Sequence, residues 1–129
     1  MLVDQSAETK RLHALYASQR RAYDKLPMPD LEQRLQWLEA LHEVIASHQQ
    51  ALVEAISADF GNRSADETLL AEVMPSLHGI RHAKRHLARW MKPSRRRVGL
   101  AFQPASARVL YQPLGVVGII VPWNYPLYL

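Results

Sequence analysis

Apolar residues recur at steps of three and four through most of the first 92 positions, and the step changes after Pro93. Leu12, Leu15, Tyr16 and Tyr23 stand among polar neighbours at close to helical spacing, which predicts an amphipathic helix over residues 7–25. Pro27 and Pro29 end it. Asp30 is placed to cap the next helix, because its carboxylate can accept from the free N–H groups of the first turn. That helix sets Leu31, Leu35, Leu38, Leu41 and Ile45 on one stripe. Ser47 is the expected cap of a shorter helix carrying Leu52, Ala55, Ile56 and Phe60. Gly61 is its expected left-handed C-terminal residue, since glycine has no Cβ to oppose that conformation.

Ser64 and Glu67 have the spacing of a capping box, with acids where a helix dipole favours them. The stripe then continues through Leu70, Val73, Leu77, Ile80, Leu87 and Met91. Pro75 falls inside it; lacking an N–H and crowding the preceding turn, it predicts a kink or a split into two helices. After Pro93 the pattern reads as strand. Residues 108–112 form one candidate, Pro113-Leu114-Gly115 a turn, and 116–121 a second candidate that is almost continuously apolar. Such a run is expected of a strand buried on both faces of a parallel sheet. It leads into Pro122-Trp123-Asn124-Tyr125-Pro126.

Composition narrows the classes. At 48% hydrophobic and 22% charged, with 5 Gly and 8 Pro, the 129-residue chain is neither collagen-like nor disordered, and it is long enough for one domain with a core. It has no cysteine, which removes a disulfide scaffold and any thiol nucleophile from this stretch. The opening residues lack the basic and then apolar run of a secretory peptide, so a cytoplasmic location is expected. Residues 109–129 carry no charge over a length that could span a bilayer, but three prolines and two glycines there argue against a spanning helix.

Charge is divided unevenly. Residues 1–72 hold all twelve acids and seven Lys or Arg, net −5, whereas 73–129 hold nine bases and no acid, net +9. Such a half can contact nucleic acid, or can face an acidic partner. Eight of the bases lie in 81–97, with Trp90 the only aromatic among them, and a solvated face explains them better than base stacking does. His78, His82 and His86 repeat every four residues but share their helix with Arg81, Lys84, Arg85 and Arg89, so no metal site is expected there. Gly115 and Gly118 do not form the dinucleotide fingerprint; a turn and close strand packing account for them. Asn124 is the most informative polar residue. It follows a predicted strand, at the edge where open α/β sheets bind ligands, and its amide can stabilise a developing oxyanion. Asn is also common in turns, and on residue type alone a backbone-satisfying role outweighs a catalytic one.

The run P-L-G-V-V-G-I-I-V-P-W-N-Y-P-L at 113–127 resembles the first signature segment of aldehyde dehydrogenases. Asp59-Phe60-Gly61, Ser64, Glu67, Ala71-Glu72 and the L-A-R-W-M-K-P ending at 87–93 extend the likeness toward the class-three-like branch, and most toward bacterial coniferyl aldehyde dehydrogenases. The resemblance implies an α/β fold: an N-terminal helical segment over 1–106, leading into the first strands of an incomplete oligomerisation and Rossmann-like dinucleotide-binding region over 107–129. It implies NAD- or NADP-dependent oxidation of an aryl or cinnamyl-type aldehyde to the acid. Asn124 would donate its amide to the aldehyde oxygen. Backbone around Val121, Pro122 and Trp123 would line the cofactor groove near the ribose and nicotinamide. The nucleophilic cysteine and the water-activating glutamate of the family lie beyond this segment, so the chain is expected to be the opening part of a larger subunit and inactive alone. The family also implies a homodimer when full length, paired through strands including one near 108–112. Nucleic acid and membrane are not expected partners. Two alternatives stand beside this reading: a small basic nucleic-acid-binding module, and a non-catalytic fragment that caps a full-length subunit.

Overall fold

The computed structural model describes residues 5–129, with side-chain environments from Ser6 onward. Their contacts group into two units, one formed by the chain up to Pro29 with Tyr111–Ile119, the other by Asp30–Leu110 with Ile120–Leu129.

In the first unit α1 spans Gln5–Lys25. Its final turn is closed by the Leu26 N–H, which donates to the Ala22 and Tyr23 carbonyls. The Tyr23 hydroxyl donates to the Pro113 carbonyl at 3.2 Å, and the Arg20 guanidinium lies over the Tyr23 ring. Gly115 takes φ +104° beside that ring, a backbone state that L side chains rarely adopt. Leu12, Leu15 and Tyr16, the predicted apolar stripe, are each more than half exposed.

The second unit is built on helices. Asp30 is extended and its carboxylate accepts from the Gln33 N–H at 2.8 Å, so α2, Leu31–Ser47, starts where the cap predicts. The following junction differs from expectation. Helix α3 spans Gln49–Asp59 with His48 as its N-cap residue, and Ser47 turns its hydroxyl back to the Glu43 and Val44 carbonyls. Ser47 is still within α2, where a hydroxyl satisfies the preceding turn more readily than the next helix. Gly61 does adopt the left-handed state, φ +67°, and Asn62 follows it at φ +104°.

A continuous helical run covers residues 65–90, divided as α4 (Ala65–Thr68), a π-helical turn (Leu69–Val73) and α5 (Met74–Trp90). Pro75 sits in the first turn of α5, where its missing N–H is tolerated, and the wide turn lies immediately before it. The extra residue in that turn shifts the stripe: Leu69 packs on the core, whereas Leu70 is exposed. Ser64 makes no side-chain capping bond, which corrects the capping-box expectation; Glu67 pairs with Arg63 instead. The core gathers Ile45, Val73 and Ile80, against which Leu38, Leu52, Leu69, Leu77 and Leu127 pack. An ion pair between Lys84 and Glu39 adds a tie between α5 and α2.

Beyond α5 lies a two-stranded antiparallel sheet, β1 (Ser94–Arg96) and β2 (Ala107–Val109), with Arg95 opposite Arg108. A short 3-10 turn, Leu100–Phe102, lies between the strands. The predicted strand at 108–112 is thus shorter and begins one residue earlier, and its partner is a segment that the hydrophobic pattern did not mark. The expected strand at 116–121 is a correction: it has no strand structure, and Ile119 and Ile120 are 81% and 99% exposed. A strand exists only by pairing its backbone with a neighbour, and no described residue pairs with it. The observed fold is therefore mostly helical with one small sheet.

Candidate functional site

Arg63 and Glu72 organise the surroundings of Asn124. Glu72 lies in the π-helical turn with 0% exposure, and the Arg63 side chain is 5% exposed. Their charges meet with Arg63 Nη1 3.1 Å from Glu72 Oε1, while Arg63 Nη2 lies 3.0 Å from Glu67 Oε1. Arg63 Nε and Nη2 and Glu72 Oε1 are buried without a hydrogen bond, so the ion pairs are their compensation. An isolated charge at either position would be costly to bury, so each residue depends on the other.

The same two side chains grip the turn at 123–127. Arg63 Nη1 donates to the Asn124 carbonyl at 2.9 Å, and its guanidinium lies 4.5 Å from the Tyr125 ring centroid and 5.0 Å from that of Phe60. Three residues on, the Leu127 N–H donates to Glu72 Oε2 at 2.8 Å. The Leu127 side chain then packs against the core beside Val73. Pro122 and Pro126 fix φ on either side and remove two N–H groups that the turn would otherwise have to satisfy. The turn is fixed at its middle by a guanidinium and at its end by a carboxylate and an apolar anchor.

Asn124 itself is exposed and its side-chain amide makes no hydrogen bond among the described residues. It lies at the edge of an open cleft of 330 Å³ with Phe60, Asn62, Arg63, Glu67 and Tyr125. Trp123 is 82% exposed and joins Asp59, Phe60 and Pro126 around a second hollow of 470 Å³. Val121 and Pro122 are exposed just before it. The four residues singled out from the sequence are thus consecutive on one surface turn, with an amide and an indole free for contact.

The 113–127 run is the sequence feature that points here, and comparison with known proteins tests it. Residues 3–129 match the model of the aldehyde dehydrogenase family. The chain belongs to that family. It is 66% identical over 122 residues to a probable coniferyl aldehyde dehydrogenase of Pseudomonas aeruginosa, covering 95% of this chain and 26% of that protein. It is 42% identical over 100 residues to a coniferyl aldehyde dehydrogenase of a Pseudomonas species, covering 78% and 20%. An aldehyde dehydrogenase of the plant Craterostigma plantagineum is 35% identical over 107 residues, covering 83% and 22%. The chain spans about a quarter of the length of the curated relatives it matches.

Within this aldehyde dehydrogenase chain, the anchors Arg63 and Glu72 are what reading the sequence missed. Their signal was present. Arg63 is the only Lys or Arg between Arg34 and Arg81, and Glu72 is the one acid in the apolar stretch L-L-A-E-V at 69–73. The histidines of α5 make other contacts: the His82 and His86 rings stack at 4.1 Å and continue onto Trp90. Among the described residues no group of three or more His, Cys, Asp or Glu is arranged to hold a metal ion. Nor is any described helix long and apolar enough to cross a membrane.

Proposed function

We propose that this chain supplies the carbonyl-binding turn of an enzyme that oxidises an aldehyde to its carboxylic acid with NAD or NADP, and that the substrate is an aryl or cinnamyl-type aldehyde such as coniferyl aldehyde. The observation that carries the reading is the Trp123-Asn124 turn in a member of the aldehyde dehydrogenase family, held by buried charges while Asn124 is exposed at the edge of an open cleft. The names of the two Pseudomonas relatives support the substrate class.

In this reading Asn124 donates its side-chain N–H to the aldehyde oxygen. The bond polarises the carbonyl and strengthens as a thiolate attacks the carbon and negative charge grows on oxygen. Because the amide is neutral, it needs no proton transfer to do this, and because the turn is anchored, little reorganisation accompanies the attack. The 129 residues hold no cysteine, so in this reading the thiol comes from elsewhere in the full-length polypeptide, and the base that activates water for hydrolysis of the thioester is assigned there with it. A bound nicotinamide dinucleotide supplies the hydride acceptor. Val121, Pro122 and Trp123 suit such a ligand: they offer exposed backbone, a proline face and a free indole beside a hollow large enough for a flat ring. Their part is to pack against the ribose and nicotinamide and to keep water from that side.

The architecture follows the same reading. Residues 1–106 form the helical segment, and 107–129 enter the oligomerisation and Rossmann-like dinucleotide-binding region. There 116–121 would gain strand partners from the rest of the subunit, and the edge near 108–112 would pair two subunits as a homodimer. The enzyme would work in the cytoplasm.

The test is formation of reduced nicotinamide by the full-length polypeptide that carries this sequence, with coniferyl aldehyde and with a short aliphatic aldehyde. Equimolar acid and reduced nicotinamide, with coniferyl aldehyde the better substrate by kcat/KM, is the expected result. No oxidation of either aldehyde with either dinucleotide would overturn the proposal.

A further inference from the structure

The Arg63–Glu72 pair has no place in the chemistry set out above, yet both side chains are buried and, among the described residues, the hydrogen bonds they make go to the 123–127 turn. We infer that Arg63 and Glu72 are positioning residues for carbonyl activation: they act through the backbone of residues 124 and 127 to aim the Asn124 amide. This inference rests on the reading of Asn124 given under Proposed function.

The geometry supports a positioning role over a purely scaffolding one. The Arg63 bond goes to the carbonyl of Asn124 itself, so the peptide plane that follows the amide-bearing residue is fixed by a buried cation. The Glu72 bond holds the Leu127 N–H, at the point where the chain leaves the turn for the core. Tyr125, between the two, is stacked against the same guanidinium. The pair is also tethered from the opposite side. Glu72 is locked in the π-helical turn next to the core residue Val73, and Arg63 follows the left-handed Gly61-Asn62 corner after α3. The turn is thus registered to the helical core by charge, while its amide remains free of any internal bond. A group so held loses little freedom when it meets a substrate oxygen, whereas a displacement of about 1 Å costs on the order of 100-fold in rate.

Catalysis and turn order can be tested separately in the full-length polypeptide. For catalysis, Glu72→Ala, Glu72→Gln and Arg63→Lys are each made alone and in an Asn124→Ala background. Glu72→Ala is expected to lower kcat by about 10- to 100-fold with the dinucleotide KM almost unchanged, and Glu72→Gln, which keeps an acceptor for Leu127, to lower it less. In the Asn124→Ala background the same changes should cost less than about two-fold, because the group they aim is gone. Equal losses in both backgrounds would assign the pair a structural role and overturn the inference. The second measurement needs no turnover. Amide hydrogen exchange over residues 123–129 should rise in Glu72→Ala and Arg63→Lys by more than exchange in α2 and α5 rises. Unchanged exchange in the turn would overturn the inference even if the parent polypeptide oxidised no aldehyde, a result that would by itself refute only the functional reading.

Discussion

At the scale of the residue, two buried charges matter more than any exposed one. Glu72 has no contact with water and Arg63 almost none, so removing either strands the other in a medium that solvates it poorly. Breaking such a pair costs about 3–5 kcal/mol, while replacing both members with apolar residues of similar size is far less damaging. Glu72→Ala is therefore expected to lower the denaturation midpoint of the full-length polypeptide clearly, and Arg63→Met with Glu72→Leu to lower it less than Glu72→Ala alone. A double variant as damaged as the single would show that hydrogen bonding to the turn, rather than charge burial, dominates. The two positions are partly legible in the sequence, as one base in a base-free stretch and one acid among apolar neighbours. Their partnership is not. Eight residues lie between them, and the contact depends on a left-handed corner at Gly61-Asn62 and a π-helical turn, neither of which follows from residue periodicity.

The elements are legible where a local signal completes itself. Asp30 reaches the Gln33 N–H within its own turn, so residue type and spacing are enough to place the start of α2. Ser64 carries an equally suggestive pattern, but Arg63 takes Glu67 into an ion pair and the capping bond is not made. The contrast gives a direct prediction. Asp30→Ala should destabilise the protein by about 1 kcal/mol in denaturant titration, the usual cost of losing a cap, whereas Ser64→Ala should change stability by less than about 0.5 kcal/mol. Equal costs at the two sites would mean that Ser64 does cap its helix. Strands are less legible. Apolar content alone marks 116–121, but a strand is defined by pairing, and Ile119 and Ile120 face solvent unpaired. Conversely β1 is basic, S-R-R, and is a strand because the chain brings β2 alongside it.

On the scale of the whole molecule, the candidate site draws its charged residues, Arg63, Glu67 and Glu72, from the acidic half of the sequence. The basic run occupies α5 and the small sheet, while Asn124 depends on the one cation, Arg63, that lies far from that run in sequence. Family membership follows from the match over residues 3–129, and the residue pattern of the motif at 113–127 points to the same family by itself. The pattern does not explain how the backbone around the motif's asparagine is anchored. That anchoring is three-dimensional: a turn fixed at residue 124 by a guanidinium and at residue 127 by a carboxylate and a core leucine. Catalysis by the full-length polypeptide tests the proposed role of Asn124 most directly. The decisive measurement is steady-state oxidation of coniferyl aldehyde by full-length Asn124→Ala against its parent. The account predicts a kcat lower by about 100- to 1,000-fold, the usual loss of one oxyanion donor, with unchanged dinucleotide binding; a kcat within about two-fold of the parent would contradict it.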